Sequence, residues 1–76
     1  MKKIIVYCEQ KNGSVINASF EIISKTRELK MQAEKLKNEE AVVEAVLISD
    51  IVQKEDIQKL ASSGADRVVH IKNQFP

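Results

Sequence analysis

An apolar run near the start of the chain constrains its fold most strongly. Residues Ile4 to Cys8 are apolar or nearly so at every position, and polar residues follow from Glu9 to Ser14. A strand has this pattern when both of its faces are covered, as in a parallel sheet. The polar residues mark the carboxyl end of the strand, where open α/β folds usually bind their ligands. The sequence therefore predicts a parallel sheet and directs attention to this strand end.

The chain is short for an independent fold. Its 76 residues, 1–76, form at most one small domain, and a domain of this size buries only about 60% of the surface that its unfolded chain exposes. Small folds usually need a disulfide, a metal or a partner. Cys8 and His70 are the sole cysteine and histidine, so an internal disulfide is impossible and a four-ligand zinc site cannot be completed by these two. We expect a partner, or further copies of the chain, to support the fold.

The distribution of charge argues against two classes of partner. Twelve basic and 11 acidic residues are interspersed, with a net charge of +1, so no basic face is dense enough for a nucleic-acid backbone. The apolar runs 4–6 and 45–48 are far too short to span a bilayer. The apolar run after Lys2 and Lys3 ends at Glu9 without a signal-peptide cleavage site. We expect a cytoplasmic protein that binds neither nucleic acid nor membrane.

Hydrophobic periodicity and turn residues predict five main elements joined by short connections. They are a strand over 3–9, a helix from Asn17 or Ala18 to Asn38, a strand over 42–48, a helix over 53–63 and a strand over 66–71, with a turn at 11–14 and a polar tail at 72–76.

The long helix carries a regular apolar pattern. Asn17 is the expected N-cap, and Glu21 is expected in the first turn, beside the positive end of the helix dipole. The expected apolar stripe, widened at its start by Phe20 and Ile23, comprises Ile22, Thr26, Leu29, Ala33 and Leu36. About 21 residues make a helix of roughly 31 Å, whereas a six-residue strand covers about 20 Å. The helix should therefore overhang the sheet or bend from Lys30 onward.

The second helix is shorter and has a clear end signal. Ile57, Leu60 and Ala61 are expected to face inward, Glu55 is placed to pair with Lys59, and Gly64 lies where a left-handed C-cap is wanted.

The order β-α-β-α-β favours a parallel three-stranded sheet in the order 3-2-1. Right-handed crossovers then place both helices on one face, which is half of a doubly wound, Rossmann-like domain. The other face has no cover, yet one residue of each of the pairs Ile4/Ile5, Val46/Leu47 and Val68/Val69 must point there. We expect that face to be buried by another copy of the chain or by further sequence.

No motif in the chain predicts a chemical site. The loop after the first strand has a single glycine, Gly13, and matches neither glycine-rich phosphate-binding pattern. Cys8 and His70 could act as nucleophile and base only within about 3 Å, but their strands are separated by a third. Glu9 is a lone carboxylate without a partner acid, base or metal ligand. We predict no catalytic, cofactor-binding or metal-binding residue, and no enzyme activity.

Several segments, in order and at compatible spacings, resemble the alpha subunit of electron transfer flavoproteins. The first strand ends in Glu9 before the turn at Asn12-Gly13, as in that family. The helix start at 19–23, its continuation at 26–29 and the strand over 43–48 are similar to the family's segments. The most specific match is Gly64-Ala65-Asp66-Arg67-Val68, which resembles a Gly-Ala-Asp-Lys-Val signature.

The resemblance implies a fold and a set of partners. It implies an adenine nucleotide alpha hydrolase-like domain, of which residues 1–76 are the amino-terminal part, acting as a scaffold beside a beta subunit in flavin-based electron transfer. In that family FAD is held chiefly by a separate carboxyl-terminal domain, so no FAD-binding residue is assigned here and no cofactor is expected in this part. A small nucleotide-binding domain of the universal-stress type is the alternative.

Overall fold

The computed structural model describes residues 2–72. Its elements in chain order are β1 (Lys2–Tyr7), β2 (Gln10–Lys11), β3 (Ser14–Val15), α1 (Asn17–Lys37), β4 (Ala41–Ser49), α2 (Lys54–Ser63) and β5 (Arg67–Lys72). The three long strands form a parallel sheet in the order β1-β4-β5. The α/β class and the strand order predicted from the sequence are confirmed, and the architecture is compatible with a Rossmann-like half-domain. Residues 73–76 of the expected tail lie outside the described part.

Both helices pack on one face of the sheet, and the core lies between them and it. Ile23, Leu47, Leu60 and Val43 are completely buried in this layer. Val6, Ala45 and Val68 lie side by side across the three strands; the first two belong to the same cluster, and the partly buried Val68 packs against it. Because side chains alternate along a strand, the intervening residues of every strand point to the opposite face.

A small hairpin follows β1. Strands β2 and β3 pair antiparallel across Asn12 and Gly13, whose φ angles are +55° and +80°, the pattern of a two-residue hairpin turn. Val15 is buried, and its N–H donates to the Asp56 carboxylate of α2 at 2.9 Å. The predicted turn is confirmed, but its two-residue strands are too short to produce an alternating pattern in the sequence.

The start of α1 differs from the prediction. Ile16 occupies the N-cap position, Asn17 is already helical, and no side chain caps the first turn. Instead the Ser19 hydroxyl, one turn further on, accepts the Glu9 N–H at 3.0 Å. Glu21 lies beyond the first turn, which holds no acidic residue. The helix start is therefore held by the hairpin loop rather than by a capping side chain.

The predicted apolar stripe of α1 faces the core only at its start, where Phe20 and Ile23 are buried. Ile22, Leu29 and Leu36 are 51%, 65% and 83% exposed. The inward side starts at Ser19, Phe20 and Ile23 and continues through Thr26, Lys30 and Glu34. Lys30 binds Asp66, and Glu34 accepts the Ala41 N–H, so polar groups occupy the inward side where the helix passes the end of the sheet. After Ile23 no residue of α1 is buried, so the second half of the helix contributes no residue to the core.

Helix α2 is also rotated relative to the sequence prediction. Leu60 is buried, but Ile57 and Ala61 are exposed, since Asp56 faces the hairpin. Lys59 does not pair with Glu55. Its ammonium lies 4.4 Å from the centre of the Phe20 ring, which is cation–π geometry.

The turn between α2 and β5 requires its glycine. Gly64 has a φ of +132°, and its N–H donates to the carbonyl oxygens of the last helical turn. A Cβ at this position would lie 2.7 Å from Cδ of Arg27. Both the backbone conformation and the close approach of Arg27 exclude larger residues, so the predicted role of Gly64 as helix terminator is confirmed.

Candidate functional site

The residue that directly follows β1 is Cys8, and its thiol is buried away from solvent. Cys8 is buried, its N–H donates to the Val46 carbonyl oxygen at 2.9 Å, and its Sγ lies 3.8 Å from the Val6 carbonyl oxygen. Burial raises the pKa of the Cys8 thiol. Because the thiolate is the nucleophilic form, this environment disfavours nucleophilic chemistry at neutral pH.

His70 is not placed to act on Cys8. β4 lies between the strands that carry the two residues, so two interstrand spacings, about 10 Å, separate their backbones. The His70 residue is exposed, and its Nε2 donates to the Ser49 carbonyl oxygen at 2.8 Å. The structure therefore does not bring the two residues together.

Backbone N–H groups around the loop after β1 already donate hydrogen bonds within the chain. The Glu9 N–H donates to the Ser19 hydroxyl, the Ile16 N–H to the Glu9 carbonyl oxygen at 3.1 Å, and the Ser19 N–H to the Ile16 carbonyl oxygen at 3.0 Å. A phosphate-binding loop needs such N–H groups free and directed at the anion. These three are engaged, and the exposed Glu9 adds a negative charge beside them.

An apolar groove lies at the other end of the sheet. Its volume is about 210 Å³, and it is bounded by the overhanging part of α1 and the start of β1. Ile4, Leu29, Ala33 and Ala41 supply the apolar lining. Two of the lysines at its rim already pair with acids, Lys2 with Glu39 and Lys30 with Asp66. The volume is below the roughly 300 Å³ at which ligand pockets usually begin.

The face of the sheet opposite the helices, here called the open face, is the largest feature without cover. Within residues 2–72, both helices pack on the other side. Apolar residues dominate the open face, and Tyr7 and Ile48 are 70% and 57% exposed. Its members are Lys3, Ile5, Tyr7, Val42, Glu44, Val46, Ile48, Arg67, Val69 and Ile71.

A charged row crosses the amino-terminal end of the open face. Glu44 on β4 is flanked by Lys3 of β1 and Arg67 of β5, with nitrogen-to-Oε2 distances of 3.6 and 3.5 Å. Glu44 is only 8% exposed because its neighbours shield it. Neither contact is a hydrogen bond, so the buried Oε2 has no hydrogen-bond donor among the described residues. An ionised oxygen in this position gains free energy from any donor that reaches it.

Sequence reasoning missed the charged row. Ile5, Val46 and Val69 do point to the uncovered face, as expected. Glu44, however, lies in the strand over 42–48 and is not predicted to belong to a site. Its position as the single charge within 42–48 was the available signal. Its pairing with Arg67 depends on the register of β4 and β5, which the sequence does not show.

Two further kinds of feature are absent from residues 2–72. No group of three or more His, Cys, Asp and Glu residues there is arranged to hold a metal ion. No helix within that range is long and apolar enough to cross a membrane.

Comparison of the chain with models of protein families, with curated proteins and with solved structures found no match.

Proposed function

We propose that this chain is an interaction module without chemistry of its own. The observation that carries the proposal is the open face, which is apolar over most of its area and lies opposite the helices. Exposed apolar area of this kind marks a contact surface in a folded protein. The closed strand end, the shielded thiol of Cys8 and the separation of Cys8 from His70 support the absence of a catalytic site.

We further propose that the module corresponds to the amino-terminal part of an electron transfer flavoprotein alpha subunit. The turn Gly64-Ala65-Asp66, which is the most specific match to the family, supports this, because each of its three residue types has a structural role in this turn. Gly64 adopts a positive φ, Ala65 is buried, and the Asp66 carboxylate accepts the Val43 N–H. In this reading the open face meets a second copy or further alpha-subunit sequence, the beta subunit is a family partner, and FAD binds elsewhere.

Dye binding combined with sedimentation tests the interaction module. We expect the chain either to self-associate or, as a monomer, to bind an apolar-surface dye through the open face. A folded monomer with low dye binding would refute the proposal.

Flavin and nucleotide titrations test the absence of a ligand site. The purified chain should lack flavin absorption bands, and calorimetry with AMP, ATP or FAD should show no binding at micromolar concentration, since the loop donors near Ser19 are engaged. Stoichiometric bound FAD would refute the assignment of FAD to another part of the protein. Micromolar binding of AMP or ATP would favour the universal-stress-type alternative.

A further inference from the structure

The half of the open face formed by β4 and β5 consists of three matched rows. Glu44 lies beside Arg67, Val46 beside Val69, and Ile48 beside Ile71. Each row therefore pairs an acid with a base or an apolar residue with an apolar residue.

A two-fold axis parallel to the strands and midway between β4 and β5 would place β4 of each copy opposite β5 of the other. Glu44 would then face Arg67 of the second copy, and the two apolar rows would each face themselves. An axis perpendicular to the strands would instead set the charged row against Ile48 and Ile71. Charge complementarity therefore selects the parallel axis, and face-to-face sheets about 10 Å apart allow these side chains to meet.

The hydrogen bonding of Glu44 also favours this two-fold arrangement. Oε2 is buried yet receives no hydrogen bond within residues 2–72. The Arg67 side chain is 63% exposed, and a guanidinium has five N–H donors. In the two-fold arrangement Arg67 of the second copy lies opposite Glu44 and supplies the missing donor once the chain's own Lys3 or Arg67 side chain, each more than half exposed, turns aside. The reciprocal contact does the same.

We propose that two copies of this chain associate face to face through β4 and β5, with Glu44 and Arg67 exchanging reciprocal ion pairs. The inference rests on the proposed interaction role of the open face and names its occupant. Two strands provide a smaller surface than the roughly 800 Å² per partner of a standard stable interface. The dimer is accordingly weak, and its population increases with protein concentration.

Complementary charge variants test the reciprocal pairs. Sedimentation equilibrium of Glu44→Arg and Arg67→Glu, each alone, should show dissociation constants raised about tenfold or more, since like charges then face each other. An equimolar mixture should recover association, because in the hybrid dimer the side chain introduced by Glu44→Arg faces the one introduced by Arg67→Glu, and the native Arg67 of one chain faces the native Glu44 of the other. An intrachain effect cannot produce this recovery. Its absence, or unchanged association of either variant alone, would overturn the proposal.

A matched pair of substitutions tests the position of the axis and does not depend on the charged row. Ile71 and Ile5 lie on the two edge strands of the open face and are 49% and 48% exposed. Ile71→Lys should weaken association about tenfold or more, whereas Ile5→Lys should change it less than about threefold, since β1 lies outside the contact. Equal effects would overturn the placement of the axis. Circular dichroism verifies that each variant is folded.

A third variant separates the open face from the exposed side of α1. Leu29→Glu should leave association unchanged, and a loss of association in this variant would assign the contact to the helix and overturn the proposal. If the wild-type chain stays monomeric but binds an apolar-surface dye, the homodimer is refuted while the proposed interaction role stands. A monomer that binds no dye refutes both.

Discussion

Asp66 connects three parts of the chain through one carboxylate. Its Oδ2 accepts the Lys30 ammonium at 2.8 Å and the Val43 N–H at 2.9 Å, while the Asp66 N–H donates to the Val43 carbonyl oxygen at 2.8 Å. The hydrogen bond from Lys30, followed by that from the Val43 N–H, lowers the pKa of Asp66. The residue therefore joins the middle of α1, β4 and the turn before β5.

Replacing Asp66 with asparagine should reduce stability in a pH-dependent way. Asp66→Asn removes the charge but keeps the shape, and we expect a loss of about 1–2 kcal/mol in the free energy of unfolding at pH 7. Because the pKa of Asp66 is lower in the folded state, its contribution is complete above the unfolded value of about 4 and is lost as pH falls through the folded value. Urea unfolding at several pH values measures both effects.

The control for this experiment is Glu39→Gln. Glu39 pairs with Lys2 at 2.9 Å on the surface, and the hydrogen bond from Lys2 lowers its pKa as well. Exposed pairs contribute little, so this variant should unfold almost like the wild type. A stability difference between Asp66→Asn and the wild type that persists unchanged at acidic pH would contradict the assigned role of the charge.

At the scale of elements, α1 shows that apolar spacing does not by itself identify the buried side of a helix. Ile22, Leu29 and Leu36 recur every seven residues but are exposed, whereas Ile23, one position further, is completely buried. Only the first part of the helix covers the sheet, so Phe20 and Ile23 set its rotation. With that rotation, Ile22, Leu29 and Leu36 point into solvent.

Two alanine substitutions in α1 should therefore have very different effects. Ile23→Ala should lower the free energy of unfolding by about 2–5 kcal/mol, because it leaves a cavity in the core. Leu29→Ala should change it by no more than about 0.5 kcal/mol, since that side chain is largely exposed. Urea denaturation compares the two directly, and a larger loss for Leu29→Ala would show that the apolar stripe faces the core.

At the scale of the whole molecule, the described part of the chain is elongated and covered on one side of its sheet only. It measures 46 × 23 × 16 Å, and the overhanging end of α1 and the open face leave much apolar surface in solvent. With 76 residues in all, such a chain has limited core to stabilise it. Association of the open face would therefore contribute noticeably to its stability.

Because association stabilises the folded chain, we predict that its melting temperature depends on protein concentration. A contact that forms only between folded chains stabilises them by mass action, so the Tm should rise with protein concentration over the range in which dimers form. Ile71→Lys should remove most of this dependence, while Ile5→Lys should retain it. Thermal unfolding followed by circular dichroism measures both, and a wild-type Tm independent of concentration would contradict the link.

Patterns in the sequence were sufficient to predict the order of the main elements, the parallel sheet and the uncovered face. Apolar runs, the Asn12-Gly13 turn and the Gly64 terminator are local signals, and the handedness of crossovers converts their order into a topology. The burial of Leu60 also followed from local pattern.

Only the folded structure shows which side of each helix is buried and which residues meet across neighbouring strands. The rotations of α1 and α2 depend on where each helix contacts the sheet, so Leu29 and Ile57 are exposed despite their spacing. The charged row depends on register: Glu44 meets Lys3 and Arg67 only because β4 pairs with β1 and β5 in one alignment. Residues so distant along the chain carry no local signal of their contact, and for that reason the charged row emerged only from the fold.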